Sequence, residues 1–94
     1  MQTTRTIPLL ATYEEGPLAG KTQLVMRRPL ARDRIKVARM EKNPDQRTVL
    51  LVAILCDLTP EAVGELDLAD FLAAEEAIGW FAEGNHLPAR TSPT

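Results

Sequence analysis

The sequence has very few of the residues on which enzymes and metal sites depend. It contains one histidine, His86, and one cysteine, Cys56. A lone cysteine excludes an intramolecular disulfide, and together the two residues cannot form a self-contained zinc site. A nucleophilic serine or cysteine also needs a neighbouring base, and His86 falls in a predicted C-terminal tail. We therefore expect a protein that is not an enzyme and has no catalytic, metal-binding or cofactor-binding residues.

Phosphate-binding loops and long apolar runs are also missing. Gly20-Lys21-Thr22 is a fragment of the Walker pattern, but a predicted strand follows it where that pattern needs a helix. The apolar segment 49–56 is far shorter than the roughly 20 residues that span a bilayer. The first six residues lack the apolar segment of a secretory signal. These features favour a cytoplasmic location and no membrane partner.

Aromatic residues make up only 4% of the chain, although apolar residues reach 45%. A core of leucine, valine, isoleucine and alanine is therefore expected. We expect a single domain over residues 1–84, followed by a flexible tail over 85–94 that contains two prolines and few apolar groups.

The two halves of the chain carry opposite charge. Residues 1–47 hold ten basic and five acidic residues, whereas residues 48–94 hold one basic and eight acidic residues. Three interpretations are open: the halves pack against each other, the basic half meets nucleic acid, or the acidic half meets a basic partner.

The pattern of apolar residues predicts an α+β fold, with an N-terminal β-hairpin followed by three or four helices. Strands are expected over 6–10 and 21–27, with Leu24 and Met26 on one face. Helix starts are expected at Asn43-Pro44, Thr59-Pro60 and Asp67, and Gly84 should end the last helix. The segment from 49 to 58 should be the most buried element.

The first predicted helix, 30–42, has a basic side. Its predicted apolar side comprises Leu30, Ala31, Ile35 and Ala38, and the opposite side comprises Arg32, Lys36 and Arg39. Nucleic-acid binding usually adds aromatic or polar base readers to such a stripe. No aromatic residue lies in this helix and the whole chain is acidic, so a solvated helix face is the preferred interpretation.

The last predicted helix has two apolar faces. One comprises Leu68, Phe71, Leu72, Ile78 and Ala82, and is expected to pack on the core, with Gly79 allowing a close neighbour. The other comprises Ala69, Ala73 and Trp80, and is the predicted partner-binding face. Glu75 projects onto the first face, so we expect it to pair with an arginine of the basic half.

The order of motifs resembles the phage tail assembly chaperones of contractile-tailed phages and related prophages. The motifs are Gly20-Lys21-Thr22, the segment 24–29 (LVMRRP), Arg32-Asp33, the segment 58–63 (LTPEAV), the segment 66–71 (LDLADF) and Glu76-Ala77-Ile78. The resemblance covers roughly residues 6–82. Leu30 departs from the family pattern, in which a threonine after the RRP segment often caps the helix.

The resemblance implies a chaperone that binds the long, helical tape measure protein and keeps it soluble in the host cytoplasm while the tail tube assembles. It implies no catalytic residue and no cofactor, and it leaves the oligomeric state open. Two alternatives remain: a nucleic-acid-binding or regulatory module that uses helix 30–42, and a structural component of the tail. Salt dependence separates phosphate binding from apolar docking.

Overall fold

The computed structural model describes residues 3–88 and confirms the α+β prediction, with a hairpin followed by four helices. The strands are β1 (Thr4–Pro8) and β2 (Gln23–Arg27), and a 3-10 turn (Gly16–Leu18) lies between them. The helices are α1 (Ala31–Met40), α2 (Pro44–Leu55), α3 (Pro60–Gly64) and α4 (Leu68–Ala82). None of the described helices is both long enough and apolar enough to cross a membrane.

The hairpin is antiparallel and places its apolar side chains on one face, as the alternation in β2 predicts. Ile7 pairs with Leu24 and Arg5 pairs with Met26. Ile7, Leu24 and Met26 are buried, whereas Val25 on the opposite face is 49% exposed. The hairpin therefore covers the helical core with a single side.

The three predicted helix starts are present because each has a side chain that accepts hydrogen bonds from the first turn. Asn43 accepts from the amides of Asp45 and Gln46, Thr59 accepts from Ala62, and Asp67 accepts from Ala69. α2 ends at Leu55, three residues earlier than predicted. Asp57, just beyond it, has a φ of 54°, which turns the chain toward α3.

The core lies between the hairpin and the helices α2, α3 and α4. Its members from α2 and the residue after it include Val52, Ala53, Leu55 and Cys56, all buried, as predicted for this segment. Burial raises the pKa of the Cys56 thiol to about 11, so the thiol stays protonated at neutral pH.

The predicted apolar face of α1 is wrong, and that of α4 is right only at Phe71 and Ile78, which pack against the core. In α1, Ile35 is 54% exposed, and the buried residues are Asp33 and Val37. In α4, Leu68 is 67% exposed and Leu72 51% exposed. The buried side of α4 instead comprises Asp70, Ala74, Ala77 and Phe81. In both helices the side that faces the core includes a carboxylate, Asp33 in α1 and Asp70 in α4. A carboxylate can be buried there because hydrogen-bond donors surround it.

Candidate partner-binding surfaces

Asp70 fixes the start of α4 to the chain segment that follows β1. Its carboxylate accepts hydrogen bonds from the amides of Leu10 (2.7 Å) and Ala11 (3.1 Å) and from the hydroxyl of Tyr13 (2.7 Å). That hydroxyl in turn accepts from the amide of Asp67 at 2.9 Å. Burial disfavours the ionised form of Asp70, but these three hydrogen bonds outweigh it and lower its pKa. We call this arrangement the Asp70 anchor.

The Asp70 anchor borders a cleft of about 290 Å³ between β1 and α4, here called the β1–α4 cleft. The lining residues are Arg5, Thr6, Ile7, Pro8, Leu10, Ala73, Glu76 and Ala77. Leu10 is 80% exposed, because the anchor holds its backbone against α4 while its side chain faces solvent. An apolar side chain held in this way is available to a partner.

The structure places the three residues of the predicted partner-binding face along one side of α4, next to this cleft. Ala69 is exposed, and Ala73 is half-buried and lines the cleft. Trp80 is half-buried: the Arg5 guanidinium lies 4.3 Å from its ring centroid, and Phe81 meets it edge-on at 5.1 Å. Arg5 and Leu10 could not be predicted to lie here, because both reach α4 from the opposite end of the chain.

The first residues of the predicted tail contact the end of α4. The Asn85 side chain donates to the Trp80 carbonyl at 2.8 Å, and the His86 ring lies edge-on to Phe81 at 5.0 Å. Gly84, with a φ of 81°, makes the turn that brings them there. The rest of the predicted tail, 89–94, lies outside the described residues.

A second and larger concavity, of about 520 Å³, lies on the other side of α4 and is here called the α1–α2–α4 groove. The lining residues are Pro29, Leu30, Ala31, Arg34, Val37, Ala38, Pro44, Arg47, Thr48, Leu51, Ile78 and Ala82. Most of this wall is apolar, and Arg34 and Arg47 place two guanidinium groups at it. Arg47 Nε also donates to the Glu41 carbonyl at 2.6 Å, which fixes the arginine in place.

Asp33 holds the α1 wall of this groove against the hairpin. It forms a two-pronged ion pair with Arg27, at 2.7 and 2.9 Å, and accepts from the amide of Leu30 at 2.8 Å. The Arg27 guanidinium and the Leu30 amide hold the pKa of Asp33 at about 2, against the opposing effect of burial. This Asp33 anchor explains how α1 starts after Leu30, a residue with no capping side chain.

Within the described residues the two charged halves pack against each other, as in the first interpretation, but through hydrogen bonds and ring contacts and not through an ion pair. The ion pair that the structure shows, between Arg27 and Asp33, lies inside the basic half. Glu75 is half-buried and pairs with no arginine of residues 3–88, which contradicts its predicted partner.

No group of three potential metal-ligating side chains occurs among residues 3–88. The three residues exposed on the basic side of α1, Arg32, Lys36 and Arg39, lie on the solvent side as predicted. The two concavities on either side of α4 are therefore the features of the described structure that suit a macromolecular partner.

Comparison with known proteins agrees with the motif pattern. The family described as "Phage tail assembly chaperone proteins, E, or 41 or 14" matches residues 19–83. No curated protein and no solved structure shows significant similarity to the chain.

Proposed function

This chain belongs to the phage tail assembly chaperone family, and we propose that it binds the tape measure protein and keeps it soluble in the host cytoplasm during tail tube assembly. The observation that carries this proposal is the β1–α4 cleft, with Leu10 at 80% exposure beside the face formed by Ala69, Ala73 and Trp80. Together the cleft, Leu10 and this face form a continuous apolar surface that an apolar client could cover.

The shape of the cleft suits a helical segment. One wall is the helix α4, where the small side chain of Ala73 lines the cleft and that of Ala69 lies one turn before it, and small side chains allow a second helix to approach closely. Recognition of this kind places an amphipathic helix in an apolar groove, with anchor residues at i, i+3, i+4 and i+7. A segment of a long helical client, covered in this way, would no longer aggregate through its apolar face.

Trp80→Ala tests the site. We expect it to weaken client binding by about 2 kcal/mol, as truncation of an aromatic anchor does at other interfaces. Phe81→Ala is the reference for damage to the core, because Phe81 is only 2% exposed, and it should lose roughly 3–5 kcal/mol of stability. Phe71, which the periodicity predicts to pack on the core, is half-buried and is the weaker reference. A Trp80→Ala variant that unfolds as readily as Phe81→Ala would show that Trp80 serves the core.

The decisive experiment is co-expression with a tape measure protein. We expect the client to become soluble and to co-purify with the wild-type chain, and both effects to decrease with Trp80→Ala or Leu10→Ser. Leu68→Ser is the matched control, since Leu68 is also exposed but lies away from the cleft. A client that stays insoluble and unbound would contradict the proposal. Binding to nucleic acid that falls steeply with salt would favour the basic-helix alternative instead.

A further inference from the structure

The α1–α2–α4 groove and an exposed apolar side of α4 are complementary in charge and in apolar character. The acidic second half forms no ion pair with the basic first half within residues 3–88. Two exposed leucines of α4, Leu68 and Leu72, line neither the β1–α4 cleft nor the α1–α2–α4 groove. Neither the fold nor the proposed client site uses this side.

We call this side the outer face of α4, formed by Leu68, Leu72, Glu75 and Gly79. At 100° per residue these four positions fall within about 60° of each other around the helix. A side-chain carbon added at Gly79 would meet nothing within 4 Å, so the backbone there is open to a close neighbour. The outer face is thus a short apolar ridge with one carboxylate and one bare stretch of backbone.

The α1–α2–α4 groove has the converse properties. It is about 520 Å³ in volume, its wall is mainly apolar, and it carries the guanidinium groups of Arg34 and Arg47. An apolar helix with a carboxylate on its edge would fill such a groove and neutralise its charge.

We propose that the α1–α2–α4 groove binds the outer face of α4 of a second copy of this chain. Leu68 and Leu72 of one copy enter the groove of the other, and Glu75 meets Arg34 or Arg47. Ile78 and Ala82 of α4 line the groove itself, so the groove and the outer face adjoin on one helix. The contact is therefore reciprocal and closes as a dimer with two-fold symmetry. The β1–α4 cleft of each copy is lined by none of the residues of the outer face and stays open to the client.

Sedimentation equilibrium of the full chain tests this proposal. We expect a species of twice the 10.4 kDa monomer, with a dissociation constant of about 10 μM or tighter. Leu72→Glu should weaken dimerisation by roughly tenfold or more, because it places a carboxylate in the apolar part of the interface. Leu10→Glu is the matched control: the same change at a more exposed leucine outside the interface should leave the mass unchanged.

A charge exchange separates a specific contact from general loss of solubility. Arg34→Glu alone and Glu75→Arg alone should each weaken the dimer, by about tenfold, through like-charge contacts, and the double variant should recover most of the affinity. Thermal melts of each variant confirm that the monomer still folds. A wild-type chain that sediments as a monomer would overturn the proposal, as would rings or filaments, which indicate a non-reciprocal contact. Loss of tape measure binding in Leu72→Glu, with no change in mass, would assign the outer face of α4 to the client instead.

Discussion

Two carboxylates, Asp33 and Asp70, hold the two sides of the molecule together by different means. Both lie in the first turn of a helix and both are buried, at 5% and 0% exposure. Asp33 binds a guanidinium six residues away in sequence, whereas Asp70 binds two amides and a phenol up to 60 residues away. Arg27, the partner of Asp33, has a side chain that is 42% exposed.

The two carboxylates differ in the donors that stabilise them: Asp33 faces a charged donor, whereas Asp70 faces neutral donors. A carboxylate that faces a partly exposed arginine gains an ion pair that water and salt weaken. A carboxylate that is enclosed by neutral donors depends on the geometry of its hydrogen bonds and leaves those donors unsatisfied when it is removed. We therefore expect Asp70 to contribute more to stability than Asp33, although only Asp33 has a cationic partner.

Removing the Asp70 anchor should have the largest effect. Asp70→Ala leaves the amides of Leu10 and Ala11 and the Tyr13 hydroxyl without their acceptor, so we expect a loss of about 3–4 kcal/mol in the free energy of unfolding. Urea denaturation followed by circular dichroism measures it. Asp67→Ala, which removes an exposed cap from the same helix, should lose about 1 kcal/mol and serves as the control. Equal losses of unfolding free energy in the two variants would show that Asp70 contributes no more than a helix cap does.

Removing the Asp33 anchor should have a smaller effect. Asp33→Ala loses the Arg27 ion pair and the hydrogen bond from the Leu30 amide, for which we expect about 2 kcal/mol in total. The same denaturation experiment in roughly 1 M NaCl, where the Debye length is about 3 Å, should reduce the Asp33→Ala difference. The Asp70→Ala difference should hardly change with salt, and a reversed salt sensitivity would contradict the comparison.

Acid should weaken both anchors in the same direction. Each carboxyl has a lowered pKa in the folded chain, and the pKa of Asp33 is about 2 against about 3.9 when unfolded. The stabilisation by Asp33 is therefore fully present above about pH 5 and is lost as the pH falls toward 2, and the stabilisation by Asp70 is lost in the same direction. We expect on the order of 1–2 kcal/mol from Asp33, discounted for the exposure of Arg27. Asp33→Asn should flatten the stability profile between those pH values, and an unchanged profile would show that Asp33 does not titrate with folding.

The smallest effect is expected at Tyr13. Tyr13→Phe removes the hydroxyl that donates to Asp70 and accepts from the Asp67 amide, but it keeps the ring, so the loss should be about 1 kcal/mol. In the Asp70→Ala background the same substitution should cost measurably less, since the two groups share one hydrogen bond. Additive losses in this double-mutant cycle would mean that the hydroxyl and the carboxylate act independently.

Local features could be predicted from the sequence, and the helix faces could not. Asn43, Thr59 and Asp67 bond to backbone groups two or three residues away, so the cap, the proline and the acid are visible in one short segment. The core face of α4 could not be predicted, because an acid such as Asp70 in the first turn of a helix is already explained by the helix dipole. The core side of α4 has regular helical spacing and comprises Asp70, Ala74, Ala77 and Phe81. The burial of a carboxylate in that series is explained only by its donors, which lie far away in the sequence.

The candidate site likewise has a part that could be predicted from the sequence and a part that could not. Ala69, Ala73 and Trp80 share a side of α4 because helical periodicity alone places them there. Leu10 and Arg5 join them through the hairpin, and no sequence spacing relates residues 5 and 10 to residue 80. The α1–α2–α4 groove was missed for a related reason: its wall includes Ile78 and Ala82, which the periodicity assigned to the core.

The Asp70 anchor also bears on the order in which the chain folds. The hairpin and the α2–α3 pair join segments close in sequence, whereas the bond from the Leu10 amide to Asp70 closes a loop of 60 residues. Closing so long a loop costs entropy, and this cost is offset only by the contacts that α4 makes when it packs on the core. We therefore expect this bond to form late in folding. Its loss should therefore appear chiefly as faster unfolding, with the refolding rate almost unchanged.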